Sequence, residues 1–408
     1  MALRSVGIPA AFEFVPYWGS NNNGHSFVSI ILPDNKIYPL QNTDKQANGD
    51  YYLSRKTPKI YRKVYSIQDL AKHVNNIPEL FRHNDILDVT RLHNISSCDI
   101  TVSTNINKEK EFFLSVFSPK RWVPVALSSS QTFHNIGAGN RYNVDRNKEA
   151  IDLGDGIVYL PTHWVNEEAI PIGSPIIVSE DSVREIKPDS KHLERVVCKR
   201  KFPLNMRIVD FSKLMIMGVF EGANKADFSD ATELYKITKT PESKMQKIEI
   251  SAEKSYRYIR YRKPKGTFSI AEFCLYQSDE KLLPFHPIAC DAIYEDSTML
   301  NIFDGQPLTY YQVSGGIDLW VGMDLYKPVK ISKIGFAPRN DDNAIVSTDT
   351  YELFYWQDQW ISLGRKRPIG DSIVYDNVPQ KALLWLRNLT KGREERPFTY
   401  ENGKQIWW

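Results

Sequence analysis

Rhythm constrains this chain before anything else does. From about residue 85 to 195, short apolar runs alternate with turn residues: NDILDVTRLHNISSCDITVSTN, EFFLSVFSPKRWVPVAL, GDGIVYLPTHWV and GSPIIVSEDSVREIKPD. Strand-like runs recurring at roughly 8–12-residue spacing predict a β-sandwich. One segment departs from this pattern. SIQDLAKHVNNIPELFRH, residues 66–83, places Ile67, Leu70, Ala71 and Val74 at helical spacing, which predicts a connecting helix. The chain is therefore expected to be mainly β, opening with a smaller α+β segment.

Composition narrows the function classes. Apolar residues make up 42% of 408, enough for several cores, and that length is a soft prior for two to four domains. Aromatic content is 12%, with 9 Trp and 21 Tyr, which suits β cores and surfaces that stack on sugars. A net charge of +3, from 52 basic and 49 acidic residues, argues against nucleic-acid binding. The basic runs KPKGTF and KGREER read as solvated turns. With no apolar run of about 18 residues, no membrane span is expected. The four cysteines, Cys98, Cys198, Cys274 and Cys290, have no C-x-x-C spacing, so a zinc site is not indicated. Cys274 and Cys290 are near enough in sequence to bridge, and both also suit ordinary buried thiols. The start, MALRSVGIPA, lacks the apolar core and cleavage site of a signal peptide.

Residues 1–65 carry one constellation. ALRSVGIPAAFEFVPYWG reads as a helix end, a Gly turn and a strand; HSFVSIIL is a second strand, Asp34-Asn35 a hairpin turn and KIYPL the return. Ala2-Leu3-Arg4, Gly7-Ile8-Pro9-Ala10, His25-Ser26-Phe27 and Pro39-Leu40-Gln41-Asn42-Thr43 resemble the transglutaminase-like superfamily. The resemblance implies a Cys nucleophile, a His base and an Asp that orients it. His25 matches the His. Gln41 stands at the Asp position, with Asp44 close enough to substitute. The resemblance implies that the Cys-bearing part of the first helix would lie upstream of Met1, and Cys98 falls in another segment. The expectation is an N-terminally truncated piece of a longer protein, with a degenerate structural domain as the alternative. In the middle segment His134, His163 and Asp155 are scattered, so core or loop roles are expected for them.

In the C-terminal half two stretches echo each other. GVFEGANKADFSDATELYKI with YRYIRYRKPKGTFSIAEFCLY is matched loosely by GFAPRNDDNAIVSTDTYELFYW with ALLWLRNLTKGREERPFTY. LNIFDGQPLTYYQVSGGIDLWVGMDLYKPVKISKIGF resembles the discoidin, or galactose-binding-like, fold through Phe303, Asp304, Gly305, Thr309, Trp320, Val321, Asp324, Leu325, Ile331 and Ile334. Tyr310 and Tyr311 stand where that family has Trp, and Tyr326 replaces its Gly. AEFCLY resembles the family's closing strand. Period two puts Leu319, Val321, Met323 and Leu325 on one strand face. The resemblance implies glycan binding at loops and a structural calcium near Asp304 and Thr309, an ion that prefers oxygen ligands. The chemistry of Tyr310, Tyr311, Arg339, Asn340, Asp342 and Asn343 suits sugar hydroxyls and C–H faces. A self-capped polar turn is the competing reading of that loop.

The expected organisation is a partial transglutaminase-like domain with its connecting helix over 1–84, a β-sandwich over 85–200, a galactose-binding-like unit over 201–285 and a discoidin-like (jelly-roll) sandwich over 286–408. The expected role is binding of a glycan or cell-surface polysaccharide by a bacterial periplasmic or secreted protein, without enzymatic activity in the chain as written. The alternative is a fragment of a Cys-His-Asp thiol amidase or protease.

Overall fold

The computed structural model describes residues 2–33, 36–40, 55–68, 77–93, 95–104, 111–139, 150–251, 254–279, 281–294, 296–392 and 394–408. The protein is mainly β and divides into two compact units, Met1–Pro203 with Ile345–Trp408, and Leu204–Ala344.

In the first unit, strand Ala10–Val15 is central to a five-stranded sheet. Strand His25–Ile31 pairs with it antiparallel, from Ala10 opposite Ile30 to Val15 opposite His25, and Ile37–Leu40 continues the hairpin. Strands Tyr61–Lys63 and Ile86–Asp88 flank its other side. The turn expected at Asp34-Asn35 lies outside the described residues. Alternation aims Ala11, Glu13 and Val15 inward. Glu13 is fully buried and is satisfied there by Ser29 Oγ at 2.5 Å, His93 Nε2 at 2.9 Å and Arg62 Nε at 2.8 Å. Burial alone opposes its ionisation. Hydrogen bonds from His93 and Ser29, the charge of His93 and a hydrogen bond from Arg62 outweigh that and hold the carboxyl below its usual range.

A second sheet is built on Phe112–Phe117, Trp122–Ser128, Ile157–Val165, Ile176–Val178 and Val183–Glu185, in agreement with the strand rhythm read for this region. Phe112–Phe117 is buried at every position, as a strand covered on both faces should be. The last segment returns to this unit. Strand Ile373–Gln380 pairs with Asp189–Cys198, and five strands between Tyr351 and Trp407 form a further sheet. Both C-terminal tryptophans, Trp407 and Trp408, are buried.

The second unit is a two-sheet β structure. One sheet has strands 232–236, 219–223, 256–270, 311–329 and 286–289 in that order, and the other has 246–249, 333–337 and 272–276. Leu319, Val321, Met323 and Leu325 all enter the core, as their spacing predicts.

Three expectations are corrected. The boundary at 285/286 falls inside one unit, because strand Tyr256–Ile270 pairs along its length with Tyr311–Val329. Residues 345–408 do not complete a discoidin-like sandwich with 286–344, since their partner strand is Asp189–Cys198. The helix expected over 66–83 appears among the described residues only as Glu79–Arg82, held by burial of Phe81; residues 69–76 lie outside them.

Candidate functional site

The best-formed polar and aromatic arrangement lies within the 204–344 unit, and three elements build it. Helix Met206–Lys213 is capped by Asn205, whose side chain accepts from the Arg207 backbone N–H. This helix presents Arg207 and Phe211 one turn apart. Tyr310 directly precedes strand Tyr311–Val329 and is half-buried. Arg339 lies two residues beyond strand Lys333–Ala337. Its guanidinium sits 3.8 Å from the centroid of Phe211 and 3.9 Å from that of Tyr310. One cation therefore lies against two aromatic rings.

The other residues expected at this site divide by direction. Adjacent positions on a strand face opposite sides, so Tyr311 is buried in the core against Phe268 and offers no platform. Asn340 is also buried; its amide donates to the carbonyls of Pro307 and Pro338, and its oxygen accepts from the Asp342 N–H at 2.9 Å. Asn343 is buried and its backbone N–H bonds Asp341. Asp342 is half-buried in the left-handed region at φ +51°. Asn340 thus braces its own loop, and Tyr310 and Arg339 are the pair brought together.

Asp304 and Thr309 do meet. Thr309 Oγ1 lies 2.9 Å from Asp304 Oδ2, and the Gln306 N–H donates to Oδ1 at 2.8 Å. Beside them Glu272, from the AEFCLY strand, is buried and accepts from the Gly305 N–H at 3.3 Å, while its Oε1 has no hydrogen-bond partner. Burial, then the nearby Asp304 carboxylate, pushes the Glu272 carboxyl up to about 8. Two carboxyl groups facing one glycine turn, one with an orphaned oxygen, fit a hard cation with oxygen ligands. Among the described residues no group of three or more His, Cys, Asp or Glu side chains converges on a metal position.

His25 opens its strand as expected and is exposed, stacked between Trp18 and Phe27 at 5.8 Å from each. Burial of part of the ring and the charge of Arg55 lower its pKa. Gln41 and Asp44 lie outside the described residues. Cys98 sits on a different strand, Ser97–Thr101, with its thiol pushed up by burial and Asp99. All four cysteines are free thiols, so Cys274 and Cys290 do not bridge. Among the described residues no thiol hydrogen-bonds a histidine.

Sequence reasoning missed Arg207, Phe211 and Glu272. The first two were marked by an Asn cap followed by RIVDF, a helix start with an i, i+4 pair. Glu272 was marked as the one acid in an otherwise apolar strand. No family model, curated protein or solved structure matches this chain.

Proposed function

We propose that this chain is a binding protein that takes a glycan at a surface of its 204–344 unit, where Tyr310 and Arg339 lie together. The observation that carries this reading is the half-buried guanidinium set between two half-buried aromatic rings, a rigid directional donor beside an apolar platform. The galactose-binding-like resemblance and the secreted or periplasmic setting it implies agree with that role. A divalent cation, calcium by ligand type, would be held by Glu272 and Asp304, fixing the turn that leads to Tyr310.

A shallow site with one stacking ring and one charged donor binds in the range of about mM to μM. Calorimetry on the full chain with oligosaccharides tests this. Tyr310→Ala is expected to weaken binding about tenfold or more while the protein keeps its melting temperature. Unchanged affinity in a folded Tyr310→Ala protein places the ligand elsewhere.

A further inference from the structure

Arg339 has a property that a neutral sugar does not explain. Its guanidinium makes no hydrogen bond within the described residues, and none of its nitrogens is sealed from solvent without a partner. Two rings lie within 4 Å of its central carbon, and its N–H donors have no acceptor among the described residues, so they remain available to a ligand. A second cation, Arg207, lies 5.4 Å from the centroid of the same Phe211 ring, and among the described residues its guanidinium has no carboxylate partner. The nearest acids in sequence are engaged: Asp210 pairs with Lys213, and Asp341 accepts from the Asn343 N–H. Two arginines therefore lie on one aromatic ring, and among the described residues neither forms an ion pair with a carboxylate. Elsewhere in this unit the arginines are paired with acids, Arg257 with Asp324, Arg260 with Glu221, and Arg262 with Glu221 and Asp318.

We infer that the saccharide taken at Arg339 is anionic, bearing a carboxylate or sulfate that the guanidinium edge receives and that Arg207 reinforces. This rests on the glycan reading of the same surface. The planar fork matches two acceptor oxygens held about 2.2 Å apart, as in a carboxylate, better than it matches separate hydroxyls. Contact with two rings reduces the rotamer freedom that such a bond otherwise costs. The Tyr310 face turned toward Arg339 is covered, so the oxyanion is received by the guanidinium N–H donors and the sugar by the remaining exposed surface of the half-buried ring.

The test is calorimetry of the full chain with three oligosaccharides of equal length: an oligogalacturonate, the neutral oligogalactoside and its sulfated form. Each is measured at low salt and at about 0.5 M, where exposed charge pairs are screened. Either oxyanion-bearing saccharide is expected to bind about tenfold or more tighter than the neutral one, and to weaken with salt. The tighter of the two acids identifies the source of the oxyanion. Arg339→Met should reduce the acid to the neutral level. Arg339→Lys, which keeps charge without the fork, should fall between and guards against a misfolded Met variant. Equal binding of all three ligands, unchanged in Arg339→Met, overturns this inference and leaves the glycan reading standing. If none of the three binds, the glycan reading falls and this inference with it.

Discussion

Two residues show how single side chains carry cost in this protein. Glu13 is a fully buried acid among Ser29, His93 and Arg62. Removing one partner of such a cluster leaves charges unmatched in a low dielectric, at a cost of about 3–5 kcal/mol. Glu13→Ala should lose that much in urea denaturation at neutral pH, and a loss below about 1 kcal/mol would show that the cluster contributes little. The sign of the pH dependence follows from the lowered pKa. The stabilisation is fully present above the ordinary value of 4.5 and is lost as pH falls through the folded-state value, so wild type and variant should converge in acid. Tyr326 is the opposite case. It adopts φ +67°, is exposed, and its N–H is held by Asp324 at 2.8 Å. A side chain in the left-handed region costs about 1–2 kcal/mol, while glycine carries no such penalty. Tyr326→Gly is therefore expected to raise stability by up to about 1 kcal/mol, since glycine's larger unfolded-state entropy offsets part of the relief. A lower melting temperature for that variant would show that the ring is held by contacts that outweigh the strain.

At the scale of elements, the turn over 304–309 links the short helix Ser297–Phe303 to strand Tyr311–Val329, and Glu272 reaches it from strand Glu272–Tyr276. The arrangement keeps a protonatable acid beside a carboxylate with an oxygen to spare. A cation bound only by the folded turn stabilises it by mass action, about 2.7 kcal/mol at a hundredfold excess over Kd. Millimolar Ca²⁺ is expected to raise the melting temperature of the wild type and to have no effect on Glu272→Gln. If both proteins melt alike with and without the ion, the turn is closed by its own hydrogen bonds alone. The neighbouring 338–344 loop illustrates self-closure: Asn340 saturates backbone groups at Pro307, Pro338 and Asp342. Its polar composition was legible in the sequence. Its inward direction was not, because the same amide can bond a sugar or its own backbone.

For the whole molecule, the division of the chain sets what can fold alone. Residues 204–344 are contiguous and complete both of their sheets internally. Expressed alone, that segment should melt cooperatively with a native near-ultraviolet signal. Fragments 201–285 and 286–408 should not, since the boundary separates Tyr256–Ile270 from Tyr311–Val329 and parts Ile373–Gln380 from Asp189–Cys198. A cooperative transition in fragment 201–285 would refute this division. The first unit is also tied by buried cations on backbone carbonyls. Arg396 donates to Phe117 O at 2.6 Å, to Asn21 O at 3.0 Å and to the carbonyls of Gly19 and Trp408; Lys56 donates to Gly156 O at 2.6 Å.

What the sequence determined by itself is local. Alternation of period two marked the strands and their inward faces, including Leu319 to Leu325, and the two strands of the first hairpin, which pair from Val28 with Leu40 to Ile31 with Ile37. Residue type placed Tyr310 and Arg339 at one expected site, and the galactose-binding-like resemblance placed Asp304 beside Thr309; in the structure each pair lies together. Tertiary structure decided which strands pair, and so where the units begin and end. It also turned Tyr311, Asn340 and Asn343 inward, brought Phe211 and Arg207 to Arg339, and set Glu272 beside Asp304. The physical reason is that an alternating strand offers the same hydrogen-bonding edge to any partner, and every residue carries a carbonyl. The contact between Arg396 and Gly19 spans 377 positions, and no local pattern marks which carbonyl will receive that charge.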